Sequence, residues 1–266
     1  MAGVLLAVAA FAARVRIAAA VALVAALALG ACMLPRVIAG GPHPHGPTLR
    51  VMTVNLYNGL ANKEQVTQHV IDQHVDVLVV EELTFEARVE LSRDGLEQIL
   101  PYRALATSPA ADGTGIYSRR PLVRTGTIHG LTGHLEVRAR VTVPGGPPVT
   151  VQAVHTESPD LRRNGDWRAT LRQLPEASPG GTELLVGDFN ASLDHGELRR
   201  VISHGWADAA DRSGNGLAGT WPSRLPTVAL DHVLVSRQIG VRQTKVFHIG
   251  GTDHRMVFAV LQLPPG

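Results

Sequence analysis

Apolar positions recur along the chain in short runs rich in Val, Leu and Ile. They span Leu49–Val54, Val75–Val80, Gly115–Tyr117, Glu136–Val143, Pro148–Val154, Glu183–Val186, His232–Val235 and Arg255–Leu263. Several are nearly continuous rather than alternating, the pattern of strands covered on both faces. Between them Asn62–Gln73, Thr84–Leu100, Trp167–Leu174 and Leu193–Ser203 read as helices. Strands with interspersed helices predict an α/β fold with sheet in the middle. After Leu49 no linker is long enough to divide the chain, so residues 49–266 are expected to form one domain.

The first 36 residues have a different pattern. Two apolar stretches, Ala2–Ala13 and Ile17–Leu34, flank Arg14 and Arg16. The second would span about 27 Å as a helix at about 1.5 Å per residue, just enough for a bilayer core of about 30 Å. Charges at Arg14 and Arg16 would hold their side in the cytoplasm and place the rest outside; Arg36 is a weaker counter-signal. The first reading is a membrane anchor at residues 1–36. The second is a lipoprotein, because Leu29-Gly-Ala-Cys32 resembles a lipoprotein cleavage box, and the third a cleaved signal peptide. Residues 37–48, Gly/Pro-rich with His43 and His45, read as a linker.

Composition narrows the picture a little. Hydrophobic residues make 45% and charged residues 18% of the 266, which excludes a disordered chain. A net charge of +2 is too small for a protein whose business is coating nucleic acid. Cys32 is the single cysteine, so no internal disulfide forms.

The apolar runs end and begin on polar residues. RVMTV leads to Asn55, VDVLVV to Glu81 and Glu82, VTVQAV to His155, and ELLVG to Asp188 and Asn190. In reverse, Asp231 precedes HVLVS, and Asp253 and His254 precede RMVFAVL. Taken alone, Gly187-Asp-Phe-Asn190 reads equally as a turn. In a mixed sheet, however, strand ends and oppositely directed strand starts share one edge, so all six segments can converge there and are expected to form one polar site. The set holds carboxylates, amides and imidazoles with no thiol. Hard oxygen donors suit Mg²⁺, with Mn²⁺ or Ca²⁺ as alternatives. A cation, an oriented acid/base and neutral donors are what attack by water on phosphorus requires.

VMTVNL, VDVLVVEEL, GTGIYSRRP, VQAVHTESP, LLVGDFNA, ALDHVLVS and GTDHRMVFAVL, in this order over residues 49–262, resemble the endonuclease/exonuclease/phosphatase superfamily. The resemblance implies a four-layer α/β/β/α sandwich of two packed mixed sheets. It implies that Glu82 binds Mg²⁺ with help from Asp253. Asp188 orients or deprotonates water, while Asn190 and Asn55 hold phosphate oxygens and Asp188. His254 pairs with Asp231, and His155 assists the leaving group or the phosphate. Glu81 stands where the family usually has Gln; strand alternation turns it away from Glu82, so it is expected to be structural. His69, His134 and His195 have no motif context. Arg119 and Arg120 are expected to be solvated, and Trp221 to line the substrate mouth or to pack.

The expected protein is a monomeric, exported, membrane-tethered, Mg²⁺-dependent phosphoester hydrolase at the cell membrane. A lipid-linked phosphate is the favoured substrate. An extracellular DNA endonuclease is the alternative, and a non-catalytic binding module on the same fold ranks third.

Overall fold

The computed structural model describes residues 1–131, 133–159 and 164–266, excepting the side chains of residues 2–6. Its strands are β1 (Thr48–Asn55), β2 (Val77–Glu81), β3 (Tyr102–Ala106), β4 (Thr114–Ser118), β5 (Leu122–His129), β6 (Leu135–Val141), β7 (Val149–His155), β8 (Glu183–Asp188), β9 (Trp206–Asp208), β10 (Asp231–Ser236), β11 (Gly240–Phe247) and β12 (Met256–Gln262). They form two six-stranded sheets, in the orders β11-β12-β1-β2-β4-β3 and β5-β6-β7-β8-β10-β9. Both sheets are mixed: β1 pairs with β2 and β7 with β8 in parallel, and the other pairs are antiparallel.

Side-chain alternation divides each strand between two cores. Leu49, Val51, Val77, Val79, Val149, Val151, Leu184, Val186, Val233 and Val235 point inward and pack between the sheets. The opposite parity of the first sheet, including Met52, Val54, Leu78 and Val80, packs under α2 (Lys63–Asp72), α3 (Phe85–Arg93) and α4 (Leu96–Ile99). On the second sheet Val154, Leu185 and Leu234 pack under α5 (Asn164–Gln173) and α6 (Gly196–Ser203). The result is the four-layer sandwich expected. Local chemistry starts these helices: the Asn62 side chain accepts from Gln65 N–H at 2.9 Å and Thr84 from Ala87 N–H at 3.0 Å.

The continuous helix expected over Thr84–Leu100 breaks at Gly95, whose φ of 87° ends α3. Strands β3, β5, β9 and β11 were not visible as apolar runs. All four are sheet edges, each with one strand neighbour. Their sequences need bury only part of their surface, so the signal is diluted by residues such as Arg103, Arg124, Arg242 and Lys245.

At the N-terminus, the two apolar stretches merge into one helix, α1 (Ala2–Val37), with Cys32 exposed on it. Its portion Ala7–Val37 is long and apolar enough to cross a membrane. The stretch after it lies along the domain. Gly40 N–H donates to Arg212 O at 2.9 Å, Gly46 N–H to Leu263 O at 3.0 Å, and Leu263 N–H to Pro47 O at 2.9 Å.

Candidate active site

The inward alternation that builds the core also builds the site. On β1, β7, β8 and β10 the inward series run on past the last apolar residue to Asn55, His155, Asp188 and Asp231. Register then aligns them. His155 stands opposite Asp188 across the β7–β8 pair, and Asp231 opposite Asp188 across β8–β10, so three adjacent strands present one row. Asn55 and Glu81 are register partners in the facing sheet. The two rows meet at one end of the inter-sheet cleft, beside a cavity of about 580 Å³.

Asp188 is the hub. Its Oδ2 accepts from Asn55 Nδ2–H at 3.1 Å, and its Oδ1 from Asn190 N–H at 2.8 Å. Asn190 also donates through Nδ2 to Thr156 O at 2.9 Å, tying the ends of β7 and β8 together. His254 Nδ1 lies 2.9 Å from Asp231 Oδ2, and its Nε2 3.6 Å from Asp188 Oδ2. Thr252 holds the His254 turn: its hydroxyl donates to Asn55 O at 2.9 Å and accepts from His254 N–H at 3.1 Å.

Glu82 reaches the cavity because its φ of 54° breaks the strand alternation directly after Glu81. Its Oε2 accepts from Asn58 N–H at 2.5 Å, and its Oε1 lies 3.8 Å from His155 Nε2. Of the five non-glycine residues with positive φ among the described residues, Tyr57, Glu82 and Asn190 line the cavity and Asn58 bonds Glu82. Such backbone strain concentrates at functional sites. Asp253 sits on the rim. Its Oδ2 accepts from the Trp221 indole N–H at 3.1 Å, and its Oδ1 is 4.0 Å from His254 Nε2.

The charges perturb one another. Burial raises the Asp188 carboxyl to about 7 despite the nearby His254. Burial opposes the His254 imidazolium, but Asp231 and Asp188 outweigh it and raise its pKa to about 11. His155 is pushed well below its ordinary value by burial, then by His134 and His254, so its imidazole is neutral. Glu81, fully buried between the sheets, is raised well above the carboxylate range by burial, and its Oε1 accepts from the Thr53 hydroxyl at 2.7 Å. It points inward on the same side of the sheet as its register partner Asn55 and lies beneath the row, so the turn at Glu82 and not strand alternation separates the two glutamates.

Sequence reasoning passed over three contributors. His134, from the turn between β5 and β6, brings Nδ1 to 3.1 Å from His155 Nδ1 and Nε2 to 2.9 Å from Glu157 Oε1. His195 lines the cavity opposite, its ring 5.3 Å from that of Trp167. Glu136, just behind, receives a hydrogen bond from Gln152 Nε2–H at 2.8 Å, and burial raises its carboxyl to about 7. Nothing in the letters around His134 marks it, because only strand pairing brings that turn over His155. Trp221 does line the cavity. Arg119 donates to Val75 O, and the exposed Arg120 lies 3.9 Å from Asp76; neither lines the cavity, and His69 stacks on Phe247.

The donor set fits a hard divalent cation. The carboxylates of Glu82, Asp188 and Asp253 line one cavity, while the His254 imidazolium is taken up by Asp231 and Asp188. Crowded carboxylates of this kind repel one another unless a cation joins them, and oxygen donors favour Mg²⁺, Mn²⁺ or Ca²⁺ over softer metals.

Comparison with known proteins agrees with this geometry. A family model described as the Endonuclease/Exonuclease/phosphatase family matches residues 52–254. An endonuclease/exonuclease/phosphatase from Beutenbergia cavernae DSM 12333 superposes with a TM-score of 0.62 at 18% identity, over 82% of this chain and 72% of that one. D. rerio TDP2 complexed with single strand DNA product gives 0.63 at 16% identity, over 81% and 99%. SmcL gives 0.62 at 14%, over 80% and 98%. These likenesses concern the fold. No curated protein matches the chain in sequence. The family match covers most of the chain, from Met52 in β1 to His254 itself, and the chain therefore belongs to the endonuclease/exonuclease/phosphatase family of phosphoester hydrolases.

Proposed function

We propose that the protein is an exported, membrane-tethered hydrolase that uses Mg²⁺ to cleave phosphate esters carried by lipids. The observation that carries the chemistry is the His155–Asp188–Asp231 row with His254 across its end. Glu82, assisted by Asp253, is the proposed metal carboxylate. When bound, the ion neutralises phosphate charge and makes phosphorus more electrophilic. Asp188, with a carboxyl raised to about 7, is basic enough to take a proton from water near neutral pH. Asn190 and Asn55 hold Asp188 in one orientation and offer amide N–H groups to phosphate oxygens. His254, kept cationic by Asp231 and Asp188, donates to the developing charge on phosphate. His155, neutral, donates a hydrogen bond beside the leaving group.

The apolar α1 and the position of Arg14 and Arg16 before its second half support the tether and an extracytoplasmic domain. Tethering in turn favours a substrate in the membrane. The test assays detergent-solubilised full-length protein with Mg²⁺ against a polyprenyl pyrophosphate and plasmid DNA, with Asp188→Ala as control. Release of phosphate from the lipid, lost in Asp188→Ala, is expected. Plasmid nicking lost in that variant would move the substrate to nucleic acid, and inertness toward every phosphate ester would leave a binding module.

A further inference from the structure

Two contacts lock the end of α1 to the catalytic domain. Arg36 forms a two-pronged ion pair with Asp194, Nη2 to Oδ1 at 2.7 Å and Nη1 to Oδ2 at 3.3 Å. Gly216 N–H donates to the Arg36 carbonyl at 2.9 Å. Arg36 is the first charge after the apolar run Ile17–Leu34, where a membrane helix leaves the hydrocarbon. Asp194 and Gly216 are therefore held at the level of the lipid headgroups if α1 is the anchor.

Both segments run directly into the cavity wall. Asp194 is followed by His195, which lines the cavity. Gly216 leads through Leu217 to Trp221, which lines it on another side. Thr220 lies at most about 14 Å along an extended chain from Gly216. From Trp221 to Val228 the chain folds back on itself: Val228 N–H donates to Trp221 O at 3.1 Å, and Leu225 N–H to Pro222 O at 3.1 Å. Leu217 is 49%, Trp221 39% and Leu225 73% exposed, and the exposed Arg224 adjoins Leu225. Single exposed leucines are ordinary. Here aliphatic, indole and guanidinium groups share one segment, the composition of an interfacial element. The segment is also continuous with the foot of the anchor, which selects a bilayer as its partner.

We propose that residues 217–228 rest in the lipid headgroup layer and turn the cavity mouth toward the bilayer, so that substrate enters from the membrane. This rests on the tethered reading above and specifies how the tether is used. Trp167 and Trp206 are buried, so Trp221 is the tryptophan that lipid can reach. The full-length protein is reconstituted into phosphatidylcholine vesicles with brominated or ordinary acyl chains. Brominated chains are expected to quench the exposed-tryptophan emission, and Trp221→Phe to remove the quenchable part. Leu217→Asp/Leu225→Asp is expected to abolish quenching while the protein still floats with the vesicles and still hydrolyses a soluble phosphodiester, bis-p-nitrophenyl phosphate. Unquenched emission from floated protein overturns the proposal, as does a double variant quenched like the parent, or a full-length chain that does not float. Hydrolysis in the same samples reports on the function separately: a protein that is quenched yet inert toward esters refutes the hydrolase and keeps the docking surface.

Discussion

Replacing Glu136 by Gln should change how stability depends on pH. Glu136 is buried behind the His155 strand, and burial raises its carboxyl from 4.5 to about 7, against partial relief from Gln152 and from the His155 backbone N–H. Below pH 4.5 the group is protonated whether the chain is folded or not, and ionisation gives no difference. As pH rises, the unfolded chain releases the proton first, while the folded chain keeps it until about 7. Stability from this group is therefore complete below 4.5 and is lost as pH climbs through 7. At about 1.4 kcal/mol per pH unit, the shift amounts to ~3 kcal/mol between pH 4 and pH 8. Gln has no proton to lose. The cost of refitting an amide among the same partners, about 1–3 kcal/mol, is the same at every pH. Urea unfolding of detergent-solubilised wild type and Glu136→Gln, followed by tryptophan emission from pH 4 to 8, should show the gap moving by ~3 kcal/mol in favour of the variant at high pH. Parallel stability curves would refute the assignment of a proton-holding carboxyl behind His155.

Three further outcomes follow from the geometry. Gly187→Ala should destabilise by more than about 3 kcal/mol, read by thermal unfolding, because φ is 143° and a Cβ would stand 2.0 Å from Val154 O. His232→Ala should cost about 3–5 kcal/mol in urea unfolding: its Nδ1 lies 2.7 Å from Asp208 Oδ2 and its Nε2 2.8 Å from Ala191 O, and removal strands a buried carboxylate. Glu82→Gln should raise the Mg²⁺ concentration for half-maximal hydrolysis by roughly 10-fold or more while leaving the melting temperature in metal-free buffer unchanged or higher; an unaltered Mg²⁺ titration would remove Glu82 from the metal site.

Much of this arrangement was legible in the letters. Central strands must bury both faces, so β1, β2, β7, β8, β10 and β12 announce themselves as apolar runs, and polar residues at their ends stand out against that background. Asn55, Glu82, His155, Asp188, Asn190, Asp231, Asp253 and His254 all border or support one cavity. The edges were not legible, because β3, β5, β9 and β11 share their burial with solvent. His134 was lost with them, since its relation to His155 depends on the β5–β6 turn. The αL conformation of Glu82 was equally hidden: Glu81 and Glu82 look alike in sequence, and a single backbone torsion sends one into the core and the other into the cavity.

Asn55, His155, Asp188 and Asp231 occupy strand termini aligned by register, whereas Tyr57, His134, His195 and Trp221 come from connections around them. Under the proposed function, chemistry falls to the strand ends and recognition to the connections. Insertions, shortenings or exchanges in those connections can re-tailor which ester is accepted and leave the reacting constellation untouched, so a changed diet for this scaffold requires no re-invention of its hydrolysis.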